Sequence, residues 1–151
     1  MKLKLDNTGD RLFGKILRMQ AEDDPAQRFL VTDDTSVTFG EAEKITNRLA
    51  AGLRKLGVKA GDRVVLFLSN RPEMVLLTLA VNKLSAVWVP INTDYRGEWL
   101  ADAVTGSRPT LVITEADLAP RLAEMRDRLP EQLVLLDEGD NSICLLYTSD
   151  A

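Results

Sequence analysis

Arg63-Val64-Val65-Leu66-Phe67-Leu68-Ser69-Asn70-Arg71-Pro72-Glu73-Met74 is the stretch whose reading decides the fold. Val64 to Leu68 is apolar without alternation, the pattern of a strand covered on both faces in a parallel sheet. Ser69-Asn70-Arg71 breaks that run. Pro72 then stands at a first helical position, where its missing N–H is no loss. Met74, Val75, Leu76, Leu77, Leu79, Ala80, Val81 and Leu84 make the following helix apolar nearly all round, which predicts burial between layers. Strand, turn and helix in immediate succession form the unit of an α/β sheet.

The unit repeats downstream. Ala86 to Ile91 reads as the next strand, with Pro90 near its end, and a helix over 98–105 stops at Gly106 before Pro109. Thr110 to Thr114 is a third strand. Leu118, Leu122, Met125 and Leu129 stripe one further helix, entered at Pro120 and left at Pro130, and 132–137 is a fourth strand. This order predicts an α/β fold: a parallel, doubly wound sheet with helices on both faces and right-handed crossovers.

Upstream, Phe29 to Val31 and Val37 to Phe39 flank the polar cluster Thr32-Asp33-Asp34-Thr35-Ser36, which predicts a short β-hairpin. Thr38 and Glu41 have capping-box spacing and open an amphipathic helix striped by Ala42, Ile45, Leu49, Leu53 and Leu56. Gly57 falls where a left-handed cap is wanted. Lys44, Asn47, Arg48, Arg54 and Lys55 read as its solvated face. Ahead of the hairpin, Asp10 is expected to cap a short helix through Leu12, Phe13, Ile16, Leu17 and Met19, followed by a loop over 21–27.

The chain has 151 residues, a formal charge of −4, one cysteine and no histidine. Without histidine, a Ser-His-Asp triad, a Cys-His dyad and an HExxH zinc site are excluded within these residues. The acidic balance, 19 basic against 23 acidic residues, argues against a nucleic-acid partner. No apolar run reaches about 18 residues, so no membrane span is expected. The N-terminus lacks a signal-peptide core, and the lone Cys144 builds no disulfide framework, which together point to the cytoplasm.

Open α/β sheets bind ligands beyond the carboxyl ends of their strands. The segments to inspect are therefore 69–71, 92–95, 114–115 and 137–138. No two glycines are closer than four positions apart, so neither GxGxxG nor a Walker loop is present. Asp23-Asp24 and Asp33-Asp34 read as solvated turn residues. Asn70 reads as a helix-entry residue satisfying free backbone amides, with a ligand contact as the alternative. Trp88 and Trp99 read as core aromatics.

Taken together, these pieces resemble the N-terminal part of acyl-adenylate-forming enzymes, the AMP-dependent synthetase/ligase family of acyl-CoA synthetases, luciferases and peptide-synthetase adenylation domains. The resemblance rests on Val37-Thr38-Phe39-Gly40-Glu41, Asn47-Arg48-Leu49-Ala50, Leu56-Gly57-Val58 and Lys59-Ala60-Gly61-Asp62-Arg63-Val64. It continues through Leu68-Ser69-Asn70-Arg71-Pro72-Glu73, Ala86-Val87-Trp88-Val89-Pro90-Ile91-Asn92 and Thr110-Leu111-Val112-Ile113. The Val89-Pro90-Ile91-Asn92 run and Tyr95-Arg96-Gly97-Glu98-Trp99-Leu100 look most like carnitine/crotonobetaine-CoA ligases.

The resemblance implies an enzyme that activates a small-molecule carboxylate with ATP and Mg2+ as acyl-AMP and passes it to CoA. It also implies that the family's phosphate loop, aromatic-Gly-x-Thr-Glu motif, ribose-binding Asp and lid Lys all lie outside these residues. No catalytic or metal-ligating residue is expected in the chain, which alone should be inactive and pack against a missing downstream part. By position, the resemblance places Asn92, Thr93, Asp94 and Arg121 near the CoA nucleotide. Two alternatives stay open: a peptide-synthetase adenylation domain, and a freestanding flavodoxin-like module binding a small ligand.

Three segments follow: an N-terminal helix and loop over 1–27, an incomplete N-terminal adenylate-forming domain over 28–143, and a tail over 144–151. Cys144-Leu145-Leu146-Tyr147-Thr148-Ser149-Asp150-Ala151 does not continue the preceding pattern. Back-translated as TGT CTC TTA TAC ACA TCT GAC GCT, it resembles a transposon mosaic-end sequencing adapter, and is read as translated adapter. A natural strand over 143–148 is the alternative, which the underlying codons decide.

Overall fold

A computed structural model describes residues 8–136. The expected adapter tail and the end of the fourth strand, with Asp137 and Glu138, lie outside the described residues. A short 3-10 turn, Thr8–Arg11, leads into helix α1, Phe13–Asp23. Strands β1, Arg28–Val31, and β2, Ser36–Thr38, pair antiparallel as the expected hairpin. Helix α2, Phe39–Lys55, follows at once.

The start and end of α2 are built from local chemistry. Thr38 N–H donates to Glu41 Oε2 at 2.8 Å, and Glu41 N–H donates to Thr38 Oγ1 at 3.2 Å, closing the capping box. The bond from the Thr38 backbone, helped by its hydroxyl, holds the Glu41 carboxyl below the usual carboxylate range. At the other end Gly57 has φ +89°, its N–H reaches Arg54 O at 3.0 Å, and Val58 N–H reaches Leu53 O at 3.1 Å. That pair of bonds is a Schellman cap, and the left-handed residue it needs is cheapest as glycine.

The remaining elements are β3 (Arg63–Phe67), α3 (Pro72–Lys83), β4 (Val87–Pro90), α4 (Gly97–Gly106), β5 (Leu111–Glu115), α5 (Ala119–Ala123) and β6 (Leu133–Leu136). The four strands form one parallel sheet in the order β4-β3-β5-β6. Alternate residues of β3 and β5 feed two cores. Val64, Leu66, Leu111 and Ile113 pack with Leu49, Leu53, Leu76, Leu77 and Ala80 of α2 and α3. Val65, Phe67 and Val112 pack on the opposite face with Leu100 and Val104 of α4 and with Leu118, Leu122 and Met125. The sheet is therefore doubly wound, as its apolar strands predict. Helix α1 lies against α2 and α3.

Three local expectations are corrected. Leu12, not Asp10, holds the N-cap position of α1 and makes no side-chain capping bond, because the 3-10 turn takes up residues 8–11. Leu17 alone of the helix is buried, Leu12 and Phe13 stay exposed, and the helix runs on into 21–23, which had read as loop. The single helix expected over 118–129 is split into α5 and a 3-10 turn, Arg126–Arg128. Met125 leaves helical geometry there, and the Arg126 guanidinium turns back onto the carbonyls of Pro130 at 2.8 Å and Glu131 at 2.9 Å. Leu118, Leu122 and Met125 nevertheless stay buried, so the stripe survives the break.

Candidate functional site

The direction of winding locates the site. From β3 the chain leaves through α3 on one face, while β5 hands over to α5 on the other. The carboxyl ends of β3 and β5 therefore border the crevice at which an open sheet accepts ligands. Thr114, fully buried, ties these strands together through Oγ1 to Phe67 O at 2.9 Å.

Directly beyond them lies a charged network. Glu115 Oε1 accepts from Ser69 N–H at 3.3 Å, and its Oε2 accepts from Ser69 Oγ at 3.0 Å and Arg71 Nη1 at 3.2 Å. Arg71 also grips Glu73 bidentately, Nε to Oε2 at 2.9 Å and Nη2 to Oε1 at 3.2 Å. The side chains are 20%, 12% and 16% exposed for Arg71, Glu115 and Glu73, so all three charges are largely out of water. The hydrogen bonds Arg71 donates to Glu73, and secondarily to Glu115, push its pKa up and keep it a cation throughout. Segments 69–71 and 114–115 were legible as strand ends. Their pairing across 44 positions had no signal in the sequence.

At the neighbouring end of β4 the four residues expected near a CoA nucleotide come together as a rim. Asn92 Oδ1 accepts from Asp94 N–H at 2.9 Å in an Asx turn. Arg121 Nη1, from α5, donates to the carbonyl oxygen of Thr93. Asn92 and Asp94 are exposed, while Thr93 and Arg121 are half-buried. An open cleft of about 430 Å³ separates this rim from the β3 loop; its lining includes Asn70, Met74, Asn92, Thr93 and Asp94.

Two sequence readings change here. Asn70 is not the cap of α3: Arg71 holds the N-cap position, so Asn70 stands one residue too early to reach the free amides. Its side chain has no hydrogen-bond partner among the described residues and lines the cleft. Trp99 is not a core aromatic. It is 76% exposed on α4 and meets Tyr95 edge to face, centroids 6.4 Å apart. Trp88 is half-buried against the α2–α3 core.

No group of three acidic, His or Cys side chains suited to a metal occurs among the described residues. No described helix is long and apolar enough to cross a membrane.

The sequence pattern of the family described as "AMP-binding enzyme" matches residues 17–149. The chain is 32% identical over 149 residues to crotonobetaine/carnitine–CoA ligase of Salmonella paratyphi A, covering 91% of this chain and 27% of that protein. It is 33% identical over 132 residues to tyrocidine synthase 3 of Brevibacillus parabrevis, covering 87% of this chain and 2% of that one. Among solved structures, the N-terminal domain of FACL13 from Mycobacterium tuberculosis superposes with a TM-score of 0.81 at 28% identity, over 93% of this chain and 37% of that one. The chain thus spans only a small part of the length of the relatives it matches.

Proposed function

The chain belongs to the AMP-binding enzyme family of adenylate-forming ligases, and from that premise we propose that it is the opening part of an ATP-dependent, AMP-forming acyl-CoA ligase. In the reaction a carboxylate oxygen attacks the α-phosphorus of ATP and the bond to pyrophosphate breaks. The sulfur of CoA then attacks the acyl carbon, the bond to AMP breaks, and the thiol proton passes to solvent. Such chemistry needs donors and a metal around the phosphorus. The resemblance assigns those groups to residues outside this chain, so we give the described residues the role of shaping the sheet and the rim.

The observation that carries the CoA reading is the similarity to crotonobetaine/carnitine–CoA ligase, which runs through the strand ends and the rim. The rim chemistry is compatible with it. Arg121 spends one N–H on Thr93, and a guanidinium has five, so donors remain for a phosphate oxygen. Asn92, Thr93 and Asp94 would form the loop opposite. We place it in the cytoplasm, a compartment that holds both ATP and CoA. Membership of the family removes the flavodoxin-like module. The match to tyrocidine synthase 3 favours a peptide-synthetase adenylation domain as the second reading.

The test uses the full-length enzyme. AMP release should require ATP, a carboxylate and CoA together, and Arg121→Ala should raise the KM for CoA several-fold. An unchanged KM for CoA removes Arg121 from the site. Transfer to a carrier protein's thiol in preference to CoA favours the second reading.

A further inference from the structure

The cleft between the β3 loop and the rim has a chemistry that differs from the Arg121 edge. Leu68, Met74 and Ile91 give it apolar walls, Asn70, Asn92 and Thr93 give it neutral polar groups, and Asp94 is the single charge in its lining. A phosphate finds no cation there and would meet a carboxylate. A neutral chain carrying amides fits, because a carboxamide can donate to and accept from an amide at once. Asn70 offers such a group, unengaged among the described residues.

The loop that carries Asn70 is held from behind. Ser69, its neighbour, gives both its N–H and its hydroxyl to Glu115, and Arg71 on the other side gives Nη1 to the same carboxylate. Two carboxylates share one guanidinium at low exposure. Such an arrangement is costly to desolvate and gives a fold little that apolar packing would not. What it does give is a fixed position for the backbone on both sides of Asn70.

We infer that Asn70 contacts the amide-bearing arm of the thiol acceptor, and that Glu115, through Ser69 and Arg71, is the residue that positions it. The inference rests on the reading that an acyl group is passed to a thiol. It holds for either source of that arm, since free CoA and a carrier protein's prosthetic thiol both present amides next to the sulfur.

The experiment measures acyl transfer by the full-length enzyme to CoA and to pantetheine, which has the arm without the nucleotide. Asn70→Ala should raise the KM for both acceptors by about fivefold, the size of one neutral hydrogen bond, while kcat at saturation falls less than twofold. Glu115→Gln, which keeps the shape and an acceptor oxygen, should move both KM values the same way by a smaller factor, and Glu115→Ala by at least as much as Asn70→Ala. Arg121→Ala should instead weaken CoA and spare pantetheine. Unchanged KM values in Asn70→Ala, or a rise for CoA alone, overturn the inference while leaving the ligase reading standing. A fall in kcat with unmoved KM values in the Glu115 variants overturns the positioning role. A wild-type enzyme that passes its acyl group to neither acceptor, nor to a carrier protein, overturns the thiol-transfer reading and this inference with it.

Discussion

At the scale of single residues, Thr38 and Glu41 show how far local chemistry reaches. Each satisfies the other's backbone N–H, so the helix start is decided within four residues. Thr38→Ala should cost about 1 kcal/mol of stability, the usual worth of an N-cap, measured as a lower urea midpoint. Glu41 adds a pH dependence with a definite sign. Its folded-state pKa is lowered by the Thr38 bonds, so its contribution is full above the ordinary carboxylate range. That contribution is lost as pH falls through the lowered value. Glu41→Gln should therefore differ most from wild type near neutrality and converge with it in acid. A stability difference that stays constant across the acid range would show that the charge plays no part. Asn70 marks the limit of such reading: it has cap chemistry, but Arg71 takes the cap position. One residue of offset turns a capping side chain into a cleft-lining one.

Among elements, the close approaches decide what the helices tolerate. A Cβ at Gly40 would lie 3.0 Å from the Pro25 carbonyl oxygen, which is itself bonded to Gly40 N–H at 3.0 Å. Backbone cannot swing aside, so Gly40→Ala should cost about 1–3 kcal/mol, the range for overpacking. A Cβ at Gly14 would lie 2.7 Å from Lys83 Cγ and 3.6 Å from the Lys83 Cα. That side chain is anchored at its tip, Nζ reaching Glu43 at 2.6 Å and Asn47 at 2.7 Å, so moving Cγ aside strains both bonds. The thermal midpoint should thus fall for both Gly40→Ala and Gly14→Ala, and an unchanged midpoint in either would refute this account. The element order, hairpin and both ends of α2 were legible because period and cap chemistry are local. The break in α5 was not. Leu118, Leu122 and Met125 keep a buried stripe whether or not the backbone stays helical, so periodicity alone could not reveal it.

For the molecule as a whole, β3 is the common wall of both cores. Its side chains alternate between the α2–α3 layer and the α4–α5 layer, and Phe67 is fully buried in the second. Phe67→Ala should cost about 3–5 kcal/mol, measured as a fall in unfolding midpoint. A loss below about 1 kcal/mol would mean the site collapses around the missing ring, which close packing disfavours. Large apolar side chains remain half-exposed on both outer strands, Val87 on β4 and Leu135 on β6. The same winding that builds two cores also brings the ends of β3 and β5 together, and with them Ser69, Arg71 and Glu115.

The amino-acid sequence by itself determined the doubly wound α/β class, the order of its units, the capping box and the Gly57 cap. It also carried the resemblance by which Asn92, Thr93, Asp94 and Arg121 were expected near a CoA nucleotide. These follow from periodicity, cap chemistry and motif order, all of which act over a few residues or a fixed succession. Only the tertiary structure decided that Glu115 clamps the loop bearing Asn70, that Arg121 reaches the carbonyl of Thr93, and that Trp99 faces solvent. Those outcomes depend on which strand lies beside which, and on the faces their helices cover. Strand order is set by packing two apolar faces at once, a condition that no single stretch of chain contains.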